Sequence, residues 1–254
     1  MANNYYHHRT IVTGFFDIGR DKWNMFSRGI DTYLCNAKRN LSINENMIIF
    51  IDEKFIETVN EYRASHMNKT LIIPMKKENL PKYILKSKID KIMQDENFKK
   101  DILFPNVPEM CVAEYNIIMW SKVDLLWKAI ELNPFESTHF CWLDFGLGEY
   151  ANIDRFPSVF HDKIRLLCRS MPEASDLNRI VMCKSHKNRF AGGFITGRID
   201  YLVGFILSVN EEIQKCLDLN VVDCDQTMYS NVYLQNKDKF DLYFGDWDSI
   251  IVGY

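Results

Sequence analysis

HFCWLDFGLG, residues 139–148, reads as an apolar strand that carries one carboxylate, Asp144, into a turn built on Gly146 and Gly148. Burying an unpaired charge costs on the order of several kcal/mol, so a carboxylate at the end of a buried strand is either a functional group or a turn anchor. In open α/β sheets ligands bind outside the carboxyl ends of the strands, and Asp144 lies there if its strand is parallel and central.

Upstream, TIVTGFF (10–16), MIIFID (47–52) and TLIIPM (70–75) have the same form: β-branched or aromatic runs closed by turn chemistry. Trp23, Phe26, Ile30, Tyr33 and Leu34 share helical spacing between the first two, and Phe55 to Ala64 forms the next predicted helix. Strand, helix, strand, helix, strand is the grammar of a parallel sheet with right-handed crossovers. Residues 76–104 are lysine-rich and read as a solvated helical insertion. Tyr115 to Leu132 is a helix that Pro134 stops. Beyond the opening strand, 150–180 is mixed and charged. IVMCKS (180–185) and RFAGGFITG (189–197) read as strands, Tyr201 to Leu217 as a helix, and the tail from Asp238 as a short strand and loop. The prediction is one α/β domain over 1–254, with a nucleotide-sized half to about 148 and a second half from about 149.

The chain has 254 residues, 47% of them hydrophobic, enough for a sizeable core and against disorder. A formal net charge of −3 gives no general attraction to nucleic acid or anionic membranes. Seven cysteines, an odd number without a CxxC pair, read as reduced core residues. No apolar leader precedes the first strand, and the longest apolar run, YLVGFILSV (201–209), is short of the roughly 20 residues that span a bilayer. A cytoplasmic protein is expected, touching membranes only through a surface.

Asp17, Asp52 and Asp144 each end an apolar strand, so a parallel sheet gathers them at one edge; singly, each could be a turn or cap residue. Neither GxxxxGK[ST] nor GxGxxG is present, so a bound phosphate needs a metal or side-chain cations, for which Arg20 and Lys122 are candidates. Mg²⁺ or Mn²⁺ suits one or two carboxylates plus substrate phosphates. Asp144 fits, and Asp246 or Asp248 in GDWD could complete the shell, with Trp247 capping a ring. The glycines of AGGFITG (191–197) mark a close backbone approach, to a sugar ring or to a helix. Asp225, in DCDQTMYSN (223–231), either caps a helix or acts in catalysis. His186 alone among six histidines borders a candidate site. Without HExxH, paired His/Cys spacing or GxSxG, zinc and serine hydrolases are unsupported.

TIVTGFFDIGRDKW, EYNIIMWSKVDLLWKAIELNPF, HFCWLDFG, AGGFITG and GDWDSI occur in an order, over about residues 10–252, that resembles the HtrL/YibB family of candidate glycosyltransferases. The resemblance implies a GT-A-like fold, a mixed, mainly parallel sheet flanked by helices. It also implies a nucleotide-sugar donor, a uridine one first, a glycan or other hydroxyl acceptor, and Mn²⁺ or Mg²⁺ as cofactor. Thr13, Gly14 and Phe15 would meet base and ribose, Asp17 and Arg20 would line their edge, and Lys122, Gly193 and Trp247 would border the donor. Asp144 corresponds to the first aspartate of an Asp-x-Asp metal signature, but the third position is Gly146. That leaves Asp144 with help from Asp246, or a metal-independent diphosphate held by Lys122 and Arg20. Asp225 and Gln226 would face donor sugar and acceptor, Asp225 as proton acceptor if the reaction inverts configuration. A sugar nucleotidyltransferase and a non-catalytic nucleotide-sugar or carbohydrate-binding protein are the alternatives.

Overall fold

The computed structural model describes residues 8–147 and 156–251; Gly148 therefore lies outside the described residues, as does the side chain of Asp248. In chain order the elements are β1 (Arg9–Phe15), α1 (Ile30–Leu41), β2 (Asn46–Ile51), α2 (Ile56–Arg63), β3 (Thr70–Pro74), α3 (Lys86–Gln94), α4 (Glu96–Lys99), α5 (Pro108–Cys111), α6 (Ala113–Leu132) and β4 (His139–Leu143). They continue with β5 (Ile164–Cys168), α7 (Arg179–Ser185), β6 (Phe190–Arg198), α8 (Ile199–Asp218), α9 (Asp225–Gln235) and β7 (Phe240–Phe244). The strands form one sheet in the order β3-β2-β1-β4-β6-β5-β7. Only β6 runs against its neighbours, so the sheet is mixed and mainly parallel, the expected class.

Both faces are covered, and strand periodicity decides which residue goes where. Ile11, Met47, Ile49, Ile51, Cys141 and Leu143 share one apolar cluster with Ala37 and Leu41 of α1 and Val59 of α2. Val12, Ile48, Phe50, Phe140 and Trp142 point the other way, into a cluster with Trp120 and Leu126 of α6, Phe205 of α8 and Met228 of α9. With β1 and β4 paired in parallel, Thr10 opposite Phe140 and Val12 opposite Trp142, their carboxyl ends open at one edge.

Four sequence expectations need correction. Trp23 and Phe26 are not helical: the chain turns through a left-handed Phe26 at φ 58°, and the helix begins only at Ile30. The lysine-rich 76–104 stretch is not merely a solvated insertion, since Leu80, Ile89, Ile92, Met93 and Phe98 pack into the core. IVMCKS is helical, not extended. Asn178 accepts the Val181 N–H at its start, while Ile180 and Val181, which made it look like a strand, face solvent. The strand IRLLC (β5) was masked by Arg165, whose guanidinium pairs with Asp241 on β7 at 2.7 Å and covers the Tyr243 ring.

Arg63 is fully buried, and among the described residues no carboxylate pairs with it. Instead it donates to the carbonyls of Leu41, Ile43 and Glu45 and to the Thr70 hydroxyl at 2.6–2.9 Å, fastening α2 to the turn between α1 and β2. Burial pushes its pKa down to about 10. Arg63→Lys keeps the charge but loses the planar fork, so it should cost about 2 kcal/mol. A lowered urea midpoint with unchanged slope would register that loss. Among the described residues no helix is long and apolar enough to cross a membrane. All seven cysteines are free; five are buried as expected, whereas Cys35 and Cys111 are exposed.

Candidate functional site

A cavity opens where β1 and β4 end and β6 begins, lined by Gly14, Phe15, Phe16, Asp17 and Arg20 from the end of β1 and by Asp144 to Leu147 after β4. Gly192 and Gly193 of β6, Lys122 and Tyr115 of α6, and Gln226 and Trp247 complete its wall. The strand-end carboxylates divide as the geometry of the edge dictates. Asp144 and Asp17 face the cavity, while Asp52 accepts the Lys54 N–H and is a cap.

At the centre is Lys122, with only 3% of its side chain exposed. Its ammonium lies 3.0 Å from one Asp144 oxygen, 2.9 Å from Asp225 Oδ2 and 3.2 Å from the Gly192 carbonyl. Burial would lower its pKa, but the two carboxylates outweigh burial and raise it, so Lys122 stays charged. Asp225 is 2% exposed, accepts a hydrogen bond from the Tyr229 hydroxyl at 3.1 Å, and has its own pKa raised, by burial first and by Asp144 next. Asp144 keeps 34% of its side chain exposed and accepts from the Trp142 indole N–H at 2.6 Å. One cation thus faces two carboxylates, and one negative charge remains uncancelled on the cavity side.

The glycine pair makes this centre possible. A Cβ on Gly192 would stand 2.7 Å from Asp225 Oδ2, and one on Gly193 would stand 3.3 Å from Asp144 Oδ2. The close approach anticipated from AGGFITG is therefore, at Gly192, the packing of helix α9 through Asp225 and Tyr229, and at Gly193 that of Ile250 and Leu147 at 3.1 Å with Asp144 just beyond. Asn40 holds the turn after β4 from the other side, its amide donating to the carbonyls of Asp144 and Phe145 at 2.9 and 3.1 Å.

Gly146 is fixed by sterics as well. A Cβ there would lie 2.7 Å from the Tyr33 ring, so an acid at the third position of an Asp-x-Asp pattern has no room. The Tyr33 ring packs on Phe15 at 4.9 Å, its hydroxyl accepts from Arg20 at 2.7 Å, and Arg28 lies 5.3 Å above it. Phe15 in turn stacks on Phe145 at 5.2 Å. One end of the cavity is aromatic; Arg20 and Arg28 border it with positive charge.

The remaining predicted residues separate. For Asp17, burial alone would raise the carboxyl, but the Gly19 N–H and the Lys54 ammonium at 3.0 Å hold it below the usual range. Thr13 is 2% exposed, its hydroxyl buried inside the core with no partner among the described residues; the cavity wall begins one residue later. Gln226 reaches the wall and its Oε1 is buried, with no hydrogen-bond partner among the described residues. Trp247 reaches it too, but Asp246 turns away, accepting from Arg169 at 2.7 Å and from the Trp247 N–H with 66% of its side chain exposed. Sequence reasoning missed Trp142, Asn40, Arg28 and Tyr229 and counted Tyr33 only as helix stripe. Only Trp142 carries a legible signal, an indole N–H inside an apolar run.

Fold and site together define a mixed α/β protein with a cavity at the carboxyl edge of its parallel strands, built around a buried lysine and two aspartates. More particularly, the chain belongs to the family described as "Bacterial protein of unknown function (HtrL_YibB)", whose model matches residues 7–252. It is similar to Protein HtrL of Escherichia coli strain K12, 28% identical over 262 residues that cover 94% of this chain and 89% of that protein. Among solved structures, apo mouse xyloside xylosyltransferase 1 is similar at a TM-score of 0.43 and 12% identity, over 93% of this chain and 84% of that one.

Proposed function

We propose that the protein is a glycosyltransferase that moves a sugar from a nucleotide-sugar donor, a UDP-sugar first, to an acceptor hydroxyl. One observation carries the reading: a single cavity joins an aromatic end, suited to a base and a sugar ring, with the guanidinium groups of Arg20 and Arg28, suited to a diphosphate. Transfer breaks the bond from the anomeric carbon to the diphosphate and forms one to the acceptor oxygen, so negative charge grows on the leaving group. Fixed cations beside it lower that barrier. Gln226, with an unsatisfied Oε1 at the wall, is placed to accept from a sugar hydroxyl. Asp225 is buried and bonded to Lys122 and Tyr229, so in this reading it positions Lys122 and does not itself take the acceptor proton.

Mn²⁺ or Mg²⁺ fits this site through one protein carboxylate, since Asp144 is partly exposed and its cluster carries one uncancelled negative charge. Bound there, the ion would supply charge neutralisation at the leaving diphosphate. Asp246, committed to Arg169, does not take part.

UDP at about 100 times its Kd should stabilise the fold by roughly 2.7 kcal/mol, read as a raised Tm, and a cognate UDP-sugar should be hydrolysed slowly to UDP without any acceptor. Gln226→Leu should slow that hydrolysis about tenfold while shifting stability by less than about 0.5 kcal/mol, because the lost oxygen has no partner among the described residues. No Tm response to any nucleotide would sink the reading. A Tm rise without hydrolysis of any donor would select the non-catalytic binding protein, which the closed Gly146 position favours.

A further inference from the structure

One residue before Asp225 stands a second cluster that the donor cavity does not use. Glu109 on α5, His186 just after α7 and Cys224 at the start of α9 each present a carboxylate oxygen, ring nitrogen or thiol, and the three atoms lie within 4.8 Å of one another. Glu109 is 8% exposed and Cys224 1%; the His186 side chain, at 10%, is the edge nearest solvent.

The imidazole is oriented. Asp223 Oδ1, 3.1 Å from Nδ1, also accepts the Cys224 N–H at 2.8 Å, while its other oxygen accepts from the Thr227 hydroxyl at 2.7 Å. A carboxylate only accepts, so Nδ1 carries a proton, and in the neutral ring Nε2 then holds the lone pair. The Asn188 amide donates to that lone pair at 3.3 Å. Glu109 Oε1 lies 3.9 Å from Nε2, too long for a hydrogen bond. A lone pair, a buried carboxylate and a buried thiol therefore converge with no strong donor among them, and what the group lacks is an electrophile.

We propose that Glu109, His186 and Cys224 bind a divalent transition-metal ion of the zinc type, with Asp223 as the carboxylate that orients the histidine. Sulfur and imidazole nitrogen select such an ion over Mg²⁺ or Mn²⁺, and the Asp223–His186 contact is the usual outer partner of a metal-bound imidazole. The ligand charges also close: a thiolate and a carboxylate cancel the ion's two positive charges, leaving beside them only the Asp223 carboxylate, which accepts from His186, the Cys224 N–H and the Thr227 hydroxyl. The three atoms lie no more than 4.8 Å apart, and Glu109 Oε1 and His186 Nε2 only 3.9 Å; tetrahedral bonds of roughly 2.0–2.3 Å set ligand atoms about 3.5 Å apart, a closure within reach of side-chain rotation once Asn188 swings off Nε2. Binding breaks the Cys224 S–H bond, forms the sulfur–metal bond and sends the proton to solvent. Because the ligands come from three distant segments, no sequence spacing announces the site. The ion would pin the chain on either side of the turn that delivers Asp225 and Gln226.

The test uses the full chain, stripped with a chelator and titrated with Co²⁺. One equivalent should bring up a thiolate-to-cobalt charge-transfer band that one equivalent of Zn²⁺ abolishes. Cys224→Ser should lose the band, Glu109→Gln and His186→Gln should each weaken cobalt binding at least about tenfold, and Asp144→Asn should leave it unchanged, separating this site from the donor cavity. If the variants fail to fold, the wild-type Tm decides: stoichiometric Zn²⁺ must raise it and equal Mg²⁺ or Mn²⁺ must not. No band in the wild type, a band that survives Cys224→Ser and so belongs to exposed Cys35 or Cys111, or a Tm indifferent to Zn²⁺ overturns the proposal.

Discussion

Lys122→Met should be the most damaging single substitution at the cavity, costing about 3 kcal/mol of stability at neutral pH. Breaking a buried ion pair by removing one partner costs roughly 3–5 kcal/mol, because the remaining charge stays buried. Here two carboxylates are left facing each other, but Asp144 is one-third exposed and partly solvated, which places the effect at the lower end. Asp225, 2% exposed, carries most of the loss. Two measurements identify the cause. Adding Asp225→Asn to Lys122→Met should recover much of the stability, a non-additivity expected only of groups in contact. The deficit should also depend on pH. Without Lys122 the Asp225 pKa, already raised, climbs further above its unfolded value of about 3.9. A carboxyl with a raised folded pKa favours folding while protonated, so the deficit is smallest near pH 4 and grows as pH rises through the folded value. Urea midpoints of both proteins at acid and neutral pH read this directly, and an equal deficit at both would mean that Lys122 contributes packing and not charge.

The legible part of the molecule is its parallel half. Two apolar runs ending in aspartate and a third, TLIIPM, separated by helical candidates, were enough to foresee parallel β1, β2 and β3, and HFCWLDFG to foresee β4 with Asp144 at its end. The pattern is strong there because strands buried on both faces become almost wholly apolar. It fails where a charged residue is paired inside the sheet, as Arg165 is on β5, and where β-branched residues sit on a helix's solvent face, as in α7. Within the site, AGGFITG signalled a close approach, but its partners are contacts between segments far apart in the chain. Lys122, Asp144, Gly192 and Asp225 meet only through the order of strands and helices, and no local spacing encodes that Lys122 is shared by two acids.

Gly146→Asp is the second large effect and runs against the letter of the sequence, because it writes an Asp-x-Asp pattern yet should abolish donor binding. The new Cβ would press on the Tyr33 ring, 2.7 Å from Cδ1 and 3.0 Å from Cε1. That ring cannot turn aside freely, being held by Arg20 at its hydroxyl, by Phe15 on its face and by Arg28 above. Overpacking of this kind costs about 1–3 kcal/mol, and the displaced ring carries Arg20 and the aromatic wall with it. The single variant should therefore lose the UDP-induced Tm rise and gain no affinity for Mn²⁺. Removing the obstacle distinguishes sterics from chemistry: in a Tyr33→Ala background, Gly146→Asp should be nearly neutral for stability and should strengthen Mn²⁺ binding, since a second carboxylate then has space beside Asp144. Mn²⁺-dependent donor hydrolysis gained by Gly146→Asp alone, at wild-type stability, would show that Tyr33 yields and that the glycine is incidental. If Tyr33 holds, the space an acid would take belongs to a tyrosine bonded to a guanidinium, and in the proposed reading a diphosphate would meet fixed cations beside Asp144 without a second acid at position 146.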